Sequence, residues 1–128
     1  MELIIGIATC GRKELLQKTV ADIARQSELP DRIIIAPIEK NGDVGELNLP
    51  KAIQSIVSVV EGPAGLSAQR NTILKSIGES QGVILFLDDD FVMHEDYCLE
   101  LRCVYARNPE VAGTAGNVIA DGINTAGI

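Results

Sequence analysis

Four short runs in this chain are apolar at almost every position, rather than at every second one. They are residues 2–8, 32–36, 56–60 and 83–87, and β-branched side chains dominate them. A strand of that kind needs cover on both faces, which favours a parallel sheet wrapped by helices over a half-exposed antiparallel one. The intervening segments carry the matching signal. Residues 13–26 place Leu15, Leu16, Thr19, Val20, Ile23 and Ala24 in one stripe at helical spacing. A second helix is expected over 68–77, with Ser67 as its N-cap, and a third over 96–107, with Leu99, Cys103 and Val104 along one side. Asn108-Pro109 stops the third, and residues 111–120 offer one more strand around Gly113 and Gly116.

Elsewhere the punctuation is clear. Gly62-Pro63-Ala64-Gly65 reads as a turn, residues 37–50 as a loop and 51–54 as a short helical turn. There is no internal repeat. The expected architecture is therefore α/β: one unit over residues 1–128, with a mostly parallel central sheet, helices on both faces and right-handed crossovers. Hydrophobic residues make up 46% of the chain, Trp is absent and aromatics are 3%. The core must be built from Ile, Leu, Val and Ala.

The net charge of −7 excludes some partners. Duplex binding needs clustered Lys and Arg, and none appear, so no nucleic acid is expected. An anionic membrane surface is disfavoured for the same reason. Arg12 interrupts the apolar start, which has no basic leader, so neither a signal peptide nor a membrane span is visible and the cytosol is the default compartment. Cys10, Cys98 and Cys103 are odd in number and match no zinc spacing; they read as small hydrophobes or free thiols. An acidic protein that binds an anionic nucleotide needs a cation in between.

In an open α/β sheet, ligands bind outside the carboxyl ends of the strands. Two polar groups fall there: Thr9 to Arg12 after the first strand, and Asp88, Asp89 and Asp90 after the fourth. Three adjacent carboxylates repel one another, and in extended backbone Asp88 and Asp90 lie on one side with Asp89 on the other. Hard oxygen ligands suit Mg²⁺ or Mn²⁺, and such an ion can bridge carboxylate and diphosphate. The plainer alternative is a solvated turn. Arg12 and Arg70 are the candidate anion partners, with a salt bridge or a solvated side chain as their structural alternatives. His94 follows the acidic run and reads as a surface loop residue rather than a ligand. Neither a P-loop, nor G-x-G-x-x-G, nor G-x-S-x-G is present.

These pieces resemble the family 2 glycosyltransferases of the GT-A fold, and they come in that family's order. Ile5-Gly6-Ile7-Ala8-Thr9-Cys10-Gly11-Arg12 followed by Leu15-Leu16 resembles the opening strand, T-x-x-R and helix. Pro30-Asp31-Arg32-Ile33-Ile34-Ile35 resembles the second strand. Gly65-Leu66-Ser67-Ala68-Gln69-Arg70-Asn71 resembles the helix start with Ala, Arg and Asn, and Leu85-Phe86-Leu87-Asp88-Asp89-Asp90 the strand leading into the D-x-D motif.

The resemblance implies a Rossmann-like, nucleotide-diphospho-sugar transferase type of fold and a sugar-nucleotide donor. Thr9, Arg12, Arg70, Asp88 and Asp89 would bind that donor, with Asp88 near the ribose or base and Arg70 ordering the pocket. Asp90 and Asp88 would hold Mn²⁺ or Mg²⁺. It also implies two departures. The family's acidic pair after the second strand is replaced by Ala36-Pro37-Ile38-Glu39, leaving Glu39 or Asp43 as substitutes. The family's acceptor-binding half with its catalytic base normally follows the fifth strand, whereas this sequence stops at Ile128, so a truncated unit or a short variant without full transfer activity is expected, with self-association through the face left uncovered. The acceptor is unknown. Two other readings stay open: a degenerate GT-A module kept for binding or assembly, and a sugar nucleotidyltransferase, whose glycine-rich opening is absent.

Overall fold

The computed structural model describes residues 2–78 and 82–108, so the strand expected over 111–120 lies outside the described residues. Within them, four strands form one sheet: β1 (Leu3–Thr9), β2 (Arg32–Pro37), β3 (Val57–Val59) and β4 (Val83–Asp88). The order across the sheet is β3-β2-β1-β4, and every neighbouring pair is parallel. The helices are α1 (Lys13–Ala24), α2 (Leu66–Ile77) and α3 (Tyr97–Arg107). Strand and helix positions follow the apolar patterning to within one or two residues at most ends.

The order explains the layering. From β1 the chain steps outward through β2 to β3, then α2 carries it back across to β4 on the other side of β1. Right-handed crossovers running in opposite directions place their helices on opposite faces. Accordingly Leu3, Ile5 and Ile7 of β1 pack with Leu16, Val20 and Ile23 of α1 and with Cys98 and Leu101 of α3. The alternate residue Ile4 packs with Ile34 and with Ile73 of α2. Helices on both faces, as expected, bury the Ile33-Ile34-Ile35 run completely or nearly so.

Two glycines matter to this packing. Gly6 pairs with Phe86 across β1 and β4, and a Cβ there would come within 3.2 Å of both the Ile73 and Phe86 side chains. Its missing side chain lets α2 and Phe86 close on the sheet. At the other end of β4, Val83 N–H donates to the Glu2 carbonyl at 2.8 Å, and a Cβ on Gly82 would run into that same oxygen. Gly82→Ala is expected to cost about 1–3 kcal/mol by displacing the start of β4. Urea denaturation measures this, and a loss under about 0.5 kcal/mol would mean the strand start shifts freely.

Local expectations needed two corrections. Ser67 does not cap α2; Gly65 does, at φ 111°, so the helix begins one residue before Ser67. Glycine can take that backbone angle without strain, which lets the chain turn into the helix early. The 37–50 loop is not structureless either. Lys40–Val44 forms a single π-helical turn. Among the described residues, no helix is long and apolar enough to cross a membrane.

Candidate functional site

An open cleft of about 470 Å³ lies where the strand order reverses, beyond the carboxyl ends of β1 and β4. Such a switch point is where doubly wound sheets hold ligands. The acidic run forms part of its wall. Pleating carries past the end of β4: Leu85 and Leu87 face the α1 side, so Asp89 does too, while Asp88 and Asp90 are exposed. Asp89 is 7% exposed and its carboxylate accepts from the Thr9 hydroxyl at 2.9 Å. Thr19 Oγ1 of α1 donates to the Asp89 carbonyl at 2.6 Å. Arg12, at the N-cap of α1, reaches Asp89 Oδ1 and Asp90 Oδ2, each at 3.3 Å. The triplet is thus split: one buried anchor between two carboxylates open to the cleft.

The segment after the run is held by residues just past the end of α1. Gln26 Nε2 donates to the His94 carbonyl at 2.7 Å, and Ser27 N–H to the Glu95 carbonyl at 2.8 Å. His94 itself is exposed, and its Nδ1 accepts the Asp96 N–H at 3.2 Å, a local turn contact.

A second buried carboxylate ties the loops after β1 and β2 together. Asp43 Oδ1 accepts from Gly11 N–H at 2.7 Å, while Oδ2 accepts from Ile38 and Glu39 N–H at 2.9 and 2.8 Å. Burial pushes its carboxyl up, but the three backbone donors from Glu39, Gly11 and Ile38 outweigh that and hold it below the ordinary range. Of the two substitutes for the missing acidic pair, Asp43 is therefore spent on backbone. Glu39 is exposed and does not line the cleft.

The opposite wall comes from α2 and the β2 exit. Gly65, Leu66 and Ile38 line it, with Gln69 below them. The Gln69 side-chain amide donates to the Thr9 carbonyl at 3.0 Å and to the Ala36 carbonyl at 2.7 Å, stapling the ends of β1 and β2. Arg70 stands apart from this group. Its guanidinium lies 5.3 Å from the Phe86 ring centroid, a cation–π contact on the α2 face, and it is not among the lining residues. Cys10 is exposed at the cleft, whereas burial pushes the Cys98 thiol up to about 11, so Cys98 is inert core.

Of the candidates read from sequence, Thr9, Arg12, Asp88, Asp89 and Asp90 converge on the cleft, and Arg70 packs beside it. Three contributors carried weaker signals. Thr19 is a hydroxyl inside an apolar stripe, Gln69 a polar residue one turn into an amphipathic helix, and Asp43 an isolated acid among glycines. Each is a polar side chain buried by tertiary contact.

The comparisons with known proteins bear on the fold and the family. No curated protein matches the chain. The crystal structure of S. aureus TarS superposes with a TM-score of 0.57 at 10% sequence identity, over 94% of this chain and 23% of that one. This chain therefore spans under a quarter of that structure's length, and the likeness shows the fold, which is the GT-A type of parallel α/β sheet. The profile of Glycosyl transferase family 2 matches residues 4–127, and on that match, nearly the full length of the sequence, the chain belongs to glycosyl transferase family 2.

Proposed function

We propose that this chain binds the nucleoside diphosphate end of a sugar-nucleotide donor, with a divalent cation between the diphosphate and the acidic run, as the donor-binding part of a glycosyltransferase. The observation that supports it most is the split triplet: Asp88 and Asp90 exposed in the cleft at the strand switch point, with Asp89 turned inward to anchor them. Among the described residues, no group of three or more His, Cys, Asp and Glu side chains gathers into a metal cage. Two exposed carboxylates nonetheless fit Mg²⁺ or Mn²⁺, which commonly take one or two carboxylates and complete their shell with substrate phosphates and water. A bound cation supplies charge neutralisation for the leaving diphosphate.

The remaining roles belong to the chain itself. Arg12 offers a planar guanidinium to phosphate from the N-terminal end of α1. Thr9 holds Asp89 and sets the height of the floor. Arg70 orders the β4–α2 face through Phe86 rather than touching ligand. Transfer to an acceptor falls to residues outside this set. Leu99 and Val104 of α3, together with Val92, supply exposed apolar surface for the self-association expected from sequence.

Calorimetric titration of UDP, GDP, CDP and ADP, each with and without Mn²⁺, tests the reading. Binding of at least one diphosphate in the micromolar to submillimolar range, weakened tenfold or more by removing the metal, is expected. Folded protein that binds none of them with Mn²⁺ present would sink the proposal and leave a module kept for assembly.

A further inference from the structure

We infer that Gln69 is a specificity-determining residue, accepting a hydrogen bond from a donor group on the nucleoside half of the ligand. The inference rests on the cleft holding a nucleoside diphosphate, as proposed above.

Gln69 is 5% exposed, and both hydrogens of its amide nitrogen are used, one on the Thr9 carbonyl and one on the Ala36 carbonyl. That fixes the orientation of the amide. Flipping it would aim an oxygen at two carbonyl oxygens, so the group left over is Oε1, an acceptor with two lone pairs. Among the described residues no donor meets Oε1, although the residue lines the cleft. Oε1 is not sealed in the interior, so it is open to a donor that enters the cleft. The fold thus presents a fixed acceptor that can receive an N–H or O–H and cannot donate.

Its surroundings decide which part of the ligand it meets. Asp88, Asp90 and Arg12 carry the charge on one side of the cleft. Gln69 shares the other side with the apolar side chains of Ile38 and Leu66, which are 43% and 51% exposed. The diphosphate belongs with the charged groups, so the uncharged, flat nucleoside belongs against Ile38, Leu66 and Gln69. Asp43 is committed to three backbone N–H groups and does not line the cleft. A ring N–H and a ribose hydroxyl are both suitable donors.

The experiment uses the full chain with Mn²⁺ and compares UDP and GDP with their ring-N-methylated and 2′-deoxy forms. Wild-type protein should bind one of the two analogue types about tenfold more weakly than its parent, the value of one hydrogen bond. The methylated arm reports the ring N–H and the deoxy arm the hydroxyl. In Gln69→Ala, and in the similarly sized Gln69→Met, that gap should close to less than about twofold, while the parent itself weakens. A residue that only staples β1 to β2 would weaken parent and analogues alike and leave the ratio unchanged; that result overturns the inference. So does the absence of any gap in wild-type protein. If neither variant folds, the wild-type series decides alone. Failure of every diphosphate to bind is a different outcome, and it removes the proposed function itself.

Discussion

Asp90→Ala should weaken nucleoside diphosphate binding in the presence of Mn²⁺ by on the order of 100-fold, about 2–3 kcal/mol, while leaving the fold almost untouched. The two halves of that expectation have separate causes. Asp90 is exposed, and its ion pair with Arg12, at 3.3 Å between half-exposed side chains, is worth little to stability. A change in unfolding free energy within about 0.5 kcal/mol is expected. Its carboxylate is, however, one of only two in the proposed site that face the cleft, so its loss takes away half of the protein's ligand charge. Calorimetry with and without Mn²⁺, beside a urea melt of the same sample, measures both. Unchanged affinity in the presence of the metal would mean that the acidic run is only a solvated turn.

Asp43→Ala should do the reverse and strike stability first, with a loss of roughly 3 kcal/mol at neutral pH. Removing the carboxylate leaves the N–H groups of Gly11, Ile38 and Glu39 without their acceptor and unties the loops after β1 and β2. The pH dependence gives an independent check. The folded-state carboxyl is held below its ordinary value of 3.8, so the unfolded chain binds the proton more readily. The stabilisation is fully present above that value and is lost as the pH falls through the lower folded value. The gap in stability between wild type and Asp43→Ala should therefore be constant from pH 7 down to about pH 5 and narrow below pH 3.8. Denaturation curves at pH 7, 5 and 3.5 would show it; a gap that is unchanged at the lowest pH would mean that the carboxylate is not what holds the loops.

Much of the fold could be read from local pattern. Runs such as Ile33-Ile34-Ile35 and residues 83–87 have no polar face, so two-sided cover was the only arrangement consistent with them, and the stripe through Leu16, Val20 and Ile23 identified α1. The split of the acidic triplet was also legible, since it needs only the two-residue period of a strand. What escaped was set by contacts distant in sequence. The π-helical turn at Lys40–Val44 has no periodicity of its own and is fastened by Asp43 to Gly11. Gln69 finds its acceptors 60 and 33 residues away. The early start of α2 turned on the backbone angle of Gly65, and a plausible cap at Ser67 concealed it.

The gap left by Gly6 has an effect well beyond packing. Phe86 sits opposite it, and among the described residues β4 pairs only with β1, so this close fit joins the Glu2–Val83 and Thr9–Asp89 hydrogen bonds in keying the two strands to each other. A slip of one residue would bring Phe86 opposite Ile5 or Ile7 and turn every side chain of β4 to the other face. Asp89 would then look outward, and Asp88 and Asp90 would be pressed toward Thr9 and Thr19. The absence of one methyl group on β1 thus helps to decide, two to four residues after Phe86, which carboxylates face the cleft.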